Sequence, residues 1–221
     1  MTKLWEQVDA YFGDRLIAPD AATDGALAAN AEAGLPAIDV SRLQGRFLDL
    51  MVRIAGARRI LELGTLGGYS TLWMARATGP EGRVVTLEAD PRHAAVARAN
   101  FAAAGLSDRI DLRLGRAIDT LPLLEREGAG PFDLIFIDAD KAGYPDYLAW
   151  SLRLARVGTV IIGDNVVREG RVLEAASTDA NVLGVRRFVD LVAAEPRLMA
   201  TVLQTVGAKG HDGFALAVVV S

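Results

Sequence analysis

Two acidic side chains and one amide follow apolar runs of the 221-residue sequence. Asp138 follows the run FDLIFI, and the pair Asp164-Asn165 follows the run GTVIIG, 26 residues further along the chain. Each run predicts a buried parallel strand. Ligands of open α/β sheets bind beyond the carboxyl ends of the strands, so the three side chains should meet at one rim. Oxygen ligands of this kind suit a hard cation such as Mg²⁺, and the sequence therefore predicts a metal site.

The Gly-rich segment ELGTLGGYS, residues 62–70, predicts a ligand-binding turn after the first strand. Gly64 lets the backbone approach a ligand closely, and Glu88 ends the next strand 24 residues later. A carboxylate at that place can accept hydrogen bonds from both ribose hydroxyls of an adenosine group. Leu66 interrupts the G-x-G-x-x-G pattern of dinucleotide sites, which weakens the case for a pyrophosphate. Glu62 beside the ligand would attract an ammonium group, which favours S-adenosylmethionine over a turn that binds nothing.

The elements that must position these residues follow an alternating pattern. It predicts an α/β fold around a doubly wound, mostly parallel seven-stranded sheet. Parallel strands are expected at 58–63, 83–88, 110–114, 132–138 and 159–164. Helices are expected at 70–77, 91–104, 144–155 and 184–194. Two final strands, 201–206 and 214–220, are joined by the loop GAKGHDG and indicate a C-terminal antiparallel hairpin.

The N-terminal part of the chain predicts helices rather than strands. Apolar residues recur there at near-helical spacing, and Ser41 is a plausible N-cap for the last of these helices. We interpret the chain as one domain over 1–221, with N-terminal helices at 1–56 and the α/β core at 57–221.

Composition and charge argue against several classes of partner and site. The formal net charge of −4 gives no reason to expect a nucleic acid or an anionic membrane as partner. The absence of cysteine excludes disulfides, thiolate nucleophiles and cysteine-ligated zinc. The longest apolar runs are far shorter than the ~20 residues of a membrane span. Residues 1–16 are too acidic and too interrupted for a secretory signal, so we expect a cytoplasmic protein.

Five segments together resemble the cation-dependent class I O-methyltransferases of the caffeoyl-CoA and catechol O-methyltransferase group. They are ELGTLGGYS, TLEAD, DADK, GDNVV and KGHDGFALA. The resemblance runs from about Ile38 to the C-terminal hairpin and is stronger to small bacterial-type members than to the plant enzymes. It implies a Rossmann-like methyltransferase fold, S-adenosylmethionine, a divalent cation such as Mg²⁺ or Mn²⁺, and a homodimer.

The resemblance also implies a role for individual residues. It assigns the cation to Asp138, Asp164 and Asn165, the general base to Lys141, and a substrate contact to Asp140. Asp138 thereby becomes a catalytic residue as well. The cofactor contacts fall on Glu62, Gly64, Thr65, Ser70, Glu88, Ala117 and Asp138. Beside these, Tyr144 could wall the acceptor pocket, and Arg168 could touch either an acidic acceptor or only water.

The chemistry that these residues could perform is methyl transfer to a phenol. A phenol has a pKa of about 10 and is a poor nucleophile at neutral pH. A divalent cation bound to both hydroxyls of a vicinal diol would stabilise the phenolate. Lys141 could accept the proton, and the phenolate oxygen would attack the sulfonium methyl in line. We therefore predict a cation-dependent O-methyltransferase that acts on a catechol-like small molecule.

Two other functions compete with this prediction. An NAD-dependent oxidoreductase on a similar sheet would need a complete G-x-G-x-x-G turn and a catalytic Tyr/Lys or His arrangement, and neither is evident. A non-catalytic S-adenosylmethionine-binding protein would have no need of acids beside the methyl group. The histidines support neither reading, because His93 is expected on a helix surface and His211 in the exposed hairpin loop.

Overall fold

Three helices precede the sheet. The structure, a computed structural model, describes residues 4–221, so residues 1–3 of the predicted helical segment lie outside its described part. The helices are α1 at Leu4–Leu16, α2 at Ala21–Glu32 and α3 at Arg42–Ile54. Ser41 caps α3 as predicted, because its hydroxyl accepts the N–H of Gln44 at 3.1 Å.

Strands and helices then alternate up to residue 194. The strands are β1 at Arg59–Leu63, β2 at Arg83–Glu88, β3 at Ile110–Leu114, β4 at Phe132–Ile137 and β5 at Ala155–Asp164. The helices are α4 at Tyr69–Ala77, α5 at Pro91–Ala103, α6 at Ala117–Arg126, α7 at Tyr144–Arg153 and α8 at Ala180–Ala194. Short 3₁₀ turns cover Ser107–Arg109, Lys141–Gly143 and Arg168–Leu173.

The chain ends in an antiparallel hairpin of β6, Leu198–Gly207, and β7, Gly210–Val219. The predicted seven-residue loop is wrong, because Ala208 and Lys209 alone connect the strands. Gly210, with φ +92°, adopts the left-handed backbone that such a tight turn needs. His211 is consequently a strand residue that pairs with Val206.

All seven strands form one sheet with the order β3-β2-β1-β4-β5-β7-β6. β1 to β5 pair in parallel, and β7 pairs antiparallel with both β5 and β6. The predicted fold class is confirmed. Chain order reverses between β1 and β4, and such a switch point opens a crevice at the carboxyl ends of the strands.

The sheet separates two apolar layers because side chains alternate along each strand. In β1, Ile60 packs beneath α3, α4 and α5, whereas Leu61 and Leu63 pack beneath α6, α7 and α8. Buried apolar side chains on both faces explain why the parallel strands read as continuous apolar runs. Among residues 4–221, no helix is long and apolar enough to cross a membrane.

Helix α6 was not predicted from the sequence. Pro122 lies in its interior, and an interior proline normally ends a helix. The helix nevertheless forms because Leu121 and Leu124 are fully buried against the sheet. It supplies the crossover between β3 and β4 and brings Ala117 to the carboxyl ends of the strands.

Candidate active site

A cavity of about 720 Å³ opens at the carboxyl ends of the parallel strands. Its volume is in the upper part of the range for small-molecule sites. The lining residues that end or follow β1, β2 and β3 are here named the cofactor end, after the sequence prediction; they are Gly64, Thr65, Ser70, Glu88 and Ala117. The lining residues that follow β4 and β5 are named the acceptor end; they are Asp138, Asp140, Lys141, Asn165 and Arg168. The fold thus brings most of the predicted site residues around one space.

The Gly-rich turn between β1 and α4 approaches the end of β4 closely. Gly64 has φ +95°, and a Cβ at this position would collide with the backbone carbonyl of Asp138. Only glycine fits this contact, which brings the turn against the first acid of the acceptor end.

Glu88 is held in place by backbone groups at the end of β2. Its Oε2 accepts the N–H groups of Thr65 at 3.2 Å and Leu66 at 2.8 Å, and its Oε1 accepts that of Asp90 at 2.9 Å. The carboxylate therefore faces the cavity in a fixed orientation, as a ribose contact requires. His93 was expected on the surface, but it lines the same cavity with Nδ1 3.5 Å from Glu88 Oε1.

Glu62 lies behind the cavity lining and not in it, and its contact with the cofactor stays a prediction. Its carboxylate is fully buried and accepts hydrogen bonds from the hydroxyls of Ser70 at 2.6 Å, Thr86 at 2.7 Å and Thr71. Burial raises the pKa of Glu62 to about 7, although the three hydroxyl donors oppose the shift. The side chain lies on the face of β1 that α4 covers, so it supports Ser70 from behind.

An ion pair forms at the acceptor end. Lys141 Nζ lies 2.7 Å from Asp138 Oδ1, and the lysine side chain is 9% exposed, against 22% for the aspartate. Lys141 begins the 3₁₀ turn after β4, which directs its amine back toward the strand end. The predicted base and the predicted metal ligand are therefore direct neighbours.

Asp164, the last residue of β5, is a buried carboxylate at the same rim. Its Oδ2 accepts Gln44 Nε2 from α3 at 2.6 Å, and its Oδ1 accepts the N–H of Asn165 at 2.8 Å. Burial and the negative charge of Asp138 raise the pKa of Asp164 to about 7, against the opposing influence of Lys141. Two carboxylates that are near enough for Asp138 to raise the pKa of Asp164 repel each other unless a proton or a cation compensates their charge.

The donor set at this rim fits a hard cation. Asp138, Asp164 and Asn165 supply oxygen atoms, and magnesium sites commonly use one or two carboxylates with substrate or water completing the shell. Asn165 has φ +54°, a left-handed conformation that asparagine tolerates better than most residues. Within residues 4–221, no group of three or more His, Cys, Asp and Glu side chains is suited to hold a metal. A cation here would thus depend on the amide and on further ligands.

Asp164 also borders a second cavity. This space of about 380 Å³ lies between the N-terminal part of α3 and the β6–β7 hairpin. Asn165 lines both cavities, whereas Asp164 lines the second one alone. The predicted metal ligands therefore form the partition between the two spaces.

Tyr144 lies behind the cavity wall, which corrects the prediction that it contacts the acceptor. It is fully buried, with its hydroxyl 2.7 Å from the carbonyl oxygen of Ile137 and 2.8 Å from that of Asp164. Burial, followed by the charges of nearby acids, raises the pKa of Tyr144 well above its usual value. The residue ties the end of β4 to that of β5.

Tyr147, one helical turn later, lines the cavity instead. Its hydroxyl donates to Asp140 Oδ1 at 2.5 Å, and burial together with this bond raises the pKa of Tyr147. Asp140 also accepts the N–H of Gly143 at 3.0 Å. Asp140 therefore caps the turn that contains Lys141 and borders the cavity as well.

Sequence reasoning did not assign a role to Asp212, which organises the backbone after the metal-ligand pair. Its Oδ1 accepts the N–H groups of Val167 and Arg168, each at 3.0 Å, and that of Gly213 at 2.9 Å. Arg168 has φ +56° and Glu169 φ +58°, so two consecutive side-chain-bearing residues are left-handed. The carboxylate from β7 stabilises this turn.

The N-terminal wall of the cavity was also left open by the sequence. Ile38, Asp39 and Val40 line it between α2 and α3. Asp39 accepts Asn30 Nδ2 at 2.9 Å, and burial raises its pKa. Lys209 from the hairpin turn donates to the carbonyl of Ala37 at 3.2 Å. Hydrogen bonds from α2 and from the hairpin turn thus hold residues 37–39 in place.

Comparison with known proteins points to one family. The sequence model of a family described as O-methyltransferase matches residues 26–218. The chain is also 54% identical over 217 residues to a protein named catechol O-methyltransferase from Niastella koreensis, with 98% of both chains covered.

Solved structures agree with that result. An O-methyltransferase from Bacillus cereus in complex with SAH is 58% identical, with a TM-score of 0.96 over 97% of this chain and 98% of that one. The O-methyltransferase TomG from Streptomyces achromogenes, in complex with SAM, is 45% identical, with a TM-score of 0.96 over 100% of both chains.

Proposed function

The chain belongs to this O-methyltransferase family and is an S-adenosylmethionine-dependent O-methyltransferase, and we propose that it methylates one hydroxyl of a catechol-like vicinal diol with the help of a divalent cation. The observation that carries the proposal is the buried carboxylate of Asp164, whose pKa is raised to about 7 by burial and by Asp138. Two acids and the amide of Asn165 beside the methyl donor match a site for a hard cation and a diol. The name of the Niastella relative supports the same acceptor class.

The cofactor end is suited to the adenosine part of the methyl donor. Glu88 would accept hydrogen bonds from the ribose hydroxyls, since its orientation is set by the N–H groups of Thr65 and Leu66. Gly64 leaves room for the donor, and Ser70 and Ala117 complete the contact surface. Asp138 lies where its charge could attract the ammonium or sulfonium group.

Proton removal falls to Lys141 in this proposal. A bound Mg²⁺ or Mn²⁺ would act as a Lewis acid that stabilises the phenolate. Lys141 pairs with Asp138 as an ammonium, so it would first release a proton to solvent. The neutral amine would then accept the phenol proton, and Asp138, 2.7 Å away, would stabilise the re-formed ammonium. The phenolate oxygen then attacks the methyl carbon, the carbon–sulfur bond breaks, and S-adenosylhomocysteine leaves as a neutral thioether. Correct placement of donor and acceptor would contribute much of the rate enhancement.

A homodimer is part of the proposal, and α1 and the edge strand β6 support it. Large apolar side chains are exposed on α1, among them Leu4, Val8 and Phe12, and on β6, among them Met199 and Val206. An exposed apolar edge strand is a surface that proteins normally cover. The cytoplasmic location stays a prediction.

Removal of divalent cations tests the central claim. The purified enzyme, treated with a chelator and passed into metal-free buffer, should lose at least about 100-fold in the rate of catechol methylation. Addition of Mg²⁺ or Mn²⁺ should restore the rate, with S-adenosylhomocysteine formation as the readout. An undiminished rate of methylation in the presence of chelator would refute the dependence on a divalent cation. No turnover of any vicinal diol with metal present would refute the acceptor class.

A further inference from the structure

Arg168 lines the acceptor end, and its guanidinium forms no ion pair with any residue of the described range 4–221. Its Nε is buried and has no hydrogen-bond partner within residues 4–221. Neighbouring Arg171, in contrast, is paired with Asp179 at 2.9 Å. A buried donor without an acceptor is costly, particularly on a charged group. An arginine left in this state beside a ligand cavity is suited to an anionic ligand.

The carboxylates around the acceptor end have other partners. Asp138 is paired with Lys141 at 2.7 Å, and Asp140 accepts the hydroxyl of Tyr147 at 2.5 Å. Asp212, a residue of β7, uses its Oδ1 for backbone N–H groups, including that of Arg168 itself. Among residues 4–221, none of these three carboxylates forms an ion pair with the guanidinium of Arg168.

Arg168 is also held in position before a ligand arrives. The hydrogen bond from its N–H to Asp212 fixes a left-handed conformation with φ +56°. Strained conformations that the surrounding structure fixes are concentrated at functional sites. The backbone from which this side chain extends is therefore already ordered before a ligand binds.

Helix α8 adds a second contribution. Asn181, in the first turn of this 15-residue helix, lines the same cavity as Arg168. The carboxylate of Asp179 already caps this helix end and accepts the N–H of Asn181 at 2.8 Å, so the helix end itself is not open to a ligand. Asn181 therefore contributes a polar residue to the cavity lining beside Arg168.

We infer that the acceptor carries a carboxylate, bound by Arg168, in addition to its vicinal diol. The inference rests on the proposed function for the diol and narrows its acceptor class. A single planar guanidinium suits a planar carboxylate, which it can bind through two parallel hydrogen bonds. A larger polyanion would meet Asp138, Asp140 and Asp146, which line the same cavity. The cavity must also hold the methyl donor, so the acceptor is small.

Calorimetry with two matched probes tests the inference. The probes are 3,4-dihydroxybenzoate and the neutral 3,4-dihydroxybenzamide, titrated into the enzyme with S-adenosylhomocysteine and Mg²⁺. A charge-assisted hydrogen bond predicts that the wild type binds the benzoate at least about tenfold more tightly. Arg168→Gln should reduce this preference to about twofold or less, while leaving benzamide affinity nearly unchanged. The matched control is Arg187→Gln, because Arg187 is an exposed arginine of α8 outside the cavity.

Several outcomes would overturn the carboxylate site. They are equal or undetectable binding of the two probes to the wild type, equal weakening of both in Arg168→Gln, and loss of the preference in Arg187→Gln. Catechol turnover, measured in parallel, reports on the proposed function separately. A preference that depends on Arg168 without any diol turnover would retain the anion site and refute the diol chemistry. Catechol turnover without a preference for the benzoate probe would retain the diol chemistry and refute the carboxylate site.

Discussion

The two ends of the cavity differ in how their charges are compensated. At the cofactor end, Glu88 accepts three backbone N–H groups, and Glu62, buried behind the lining residue Ser70, accepts three hydroxyls. At the acceptor end, two acids lie close enough for Asp138 to raise the pKa of Asp164, and the Nε of Arg168 lacks a partner among the described residues. The cofactor end is thus complete without a ligand, whereas the acceptor end depends on what binds there.

This difference separates the roles of the two ends. Preorganised polar groups give the methyl donor a fixed place at little reorganisation cost. Uncompensated charges, in contrast, make the acceptor end selective, because only a cation and a suitably charged acceptor would relieve them. Substitutions at the acceptor end should therefore change turnover more than donor affinity.

The largest effect should follow from Asp164→Ala. The variant removes a proposed metal ligand, and we expect catechol turnover to fall at least about 100-fold. Its affinity for S-adenosylhomocysteine should stay within about threefold, because the cofactor end is held by its own hydrogen bonds. Steady-state turnover and calorimetry measure the two quantities.

Asp146→Ala is the matched control for that substitution. Asp146 is an exposed acid that lines the larger cavity together with Asp138 and Asn165, without belonging to the proposed metal set. Its loss should change turnover by less than about fivefold. Equal losses in both variants, or full activity in Asp164→Ala, would erase the distinction between a specific ligand and a general acidic lining.

A smaller effect is expected on the pH dependence of stability, through Glu62. Burial raises the pKa of this group from 4.5 to about 7, so the folded state binds the proton more tightly than the unfolded chain. The resulting stabilisation is present below about pH 4.5 and is lost as pH rises through about 7. Between pH 5.5 and pH 8, the free energy of unfolding of the ligand-free protein should fall by roughly 2 kcal/mol from this group.

Urea unfolding of the wild type and of Glu62→Gln at both pH values measures this contribution. Asp164 titrates in the same range with the same sign, so only the difference between the two proteins isolates Glu62. We expect the wild type to lose more stability than the variant on going from pH 5.5 to pH 8. Identical losses would mean that the hydroxyl donors keep Glu62 ionised throughout.

The acids at the strand ends were predictable because position along the chain is enough to locate them. Asp138 and Asp164 follow apolar runs, and parallel strands bring their carboxyl ends together whatever the details of packing. The Gly-rich turn and Glu88 follow the same logic. This explains why the sheet and most of the cavity lining could be anticipated.

The structure departs from the sequence expectations where the direction of a side chain decides its position. Glu62 precedes the turn, but the alternation along β1 directs it under α4, and Tyr144 turns inward to tie two strands. Helix α6 was missed because Pro122 is normally a helix breaker. Asp212 acts on backbone groups 45 residues away, and no local pattern reports such a contact.

Asp212→Asn should have the smallest effect and is confined to the acceptor end. The amide oxygen can still accept the N–H groups of Val167 and Arg168, but without the negative charge, so the free energy of unfolding should fall by about 1 kcal/mol. The left-handed turn would loosen, and the KM for the diol should rise about threefold with an unchanged Kd for S-adenosylhomocysteine. Urea unfolding, steady-state kinetics and calorimetry check the three values. A weaker donor affinity of similar size would show that the two ends are coupled through the sheet, and the contrast between a complete and an incomplete end would then fail.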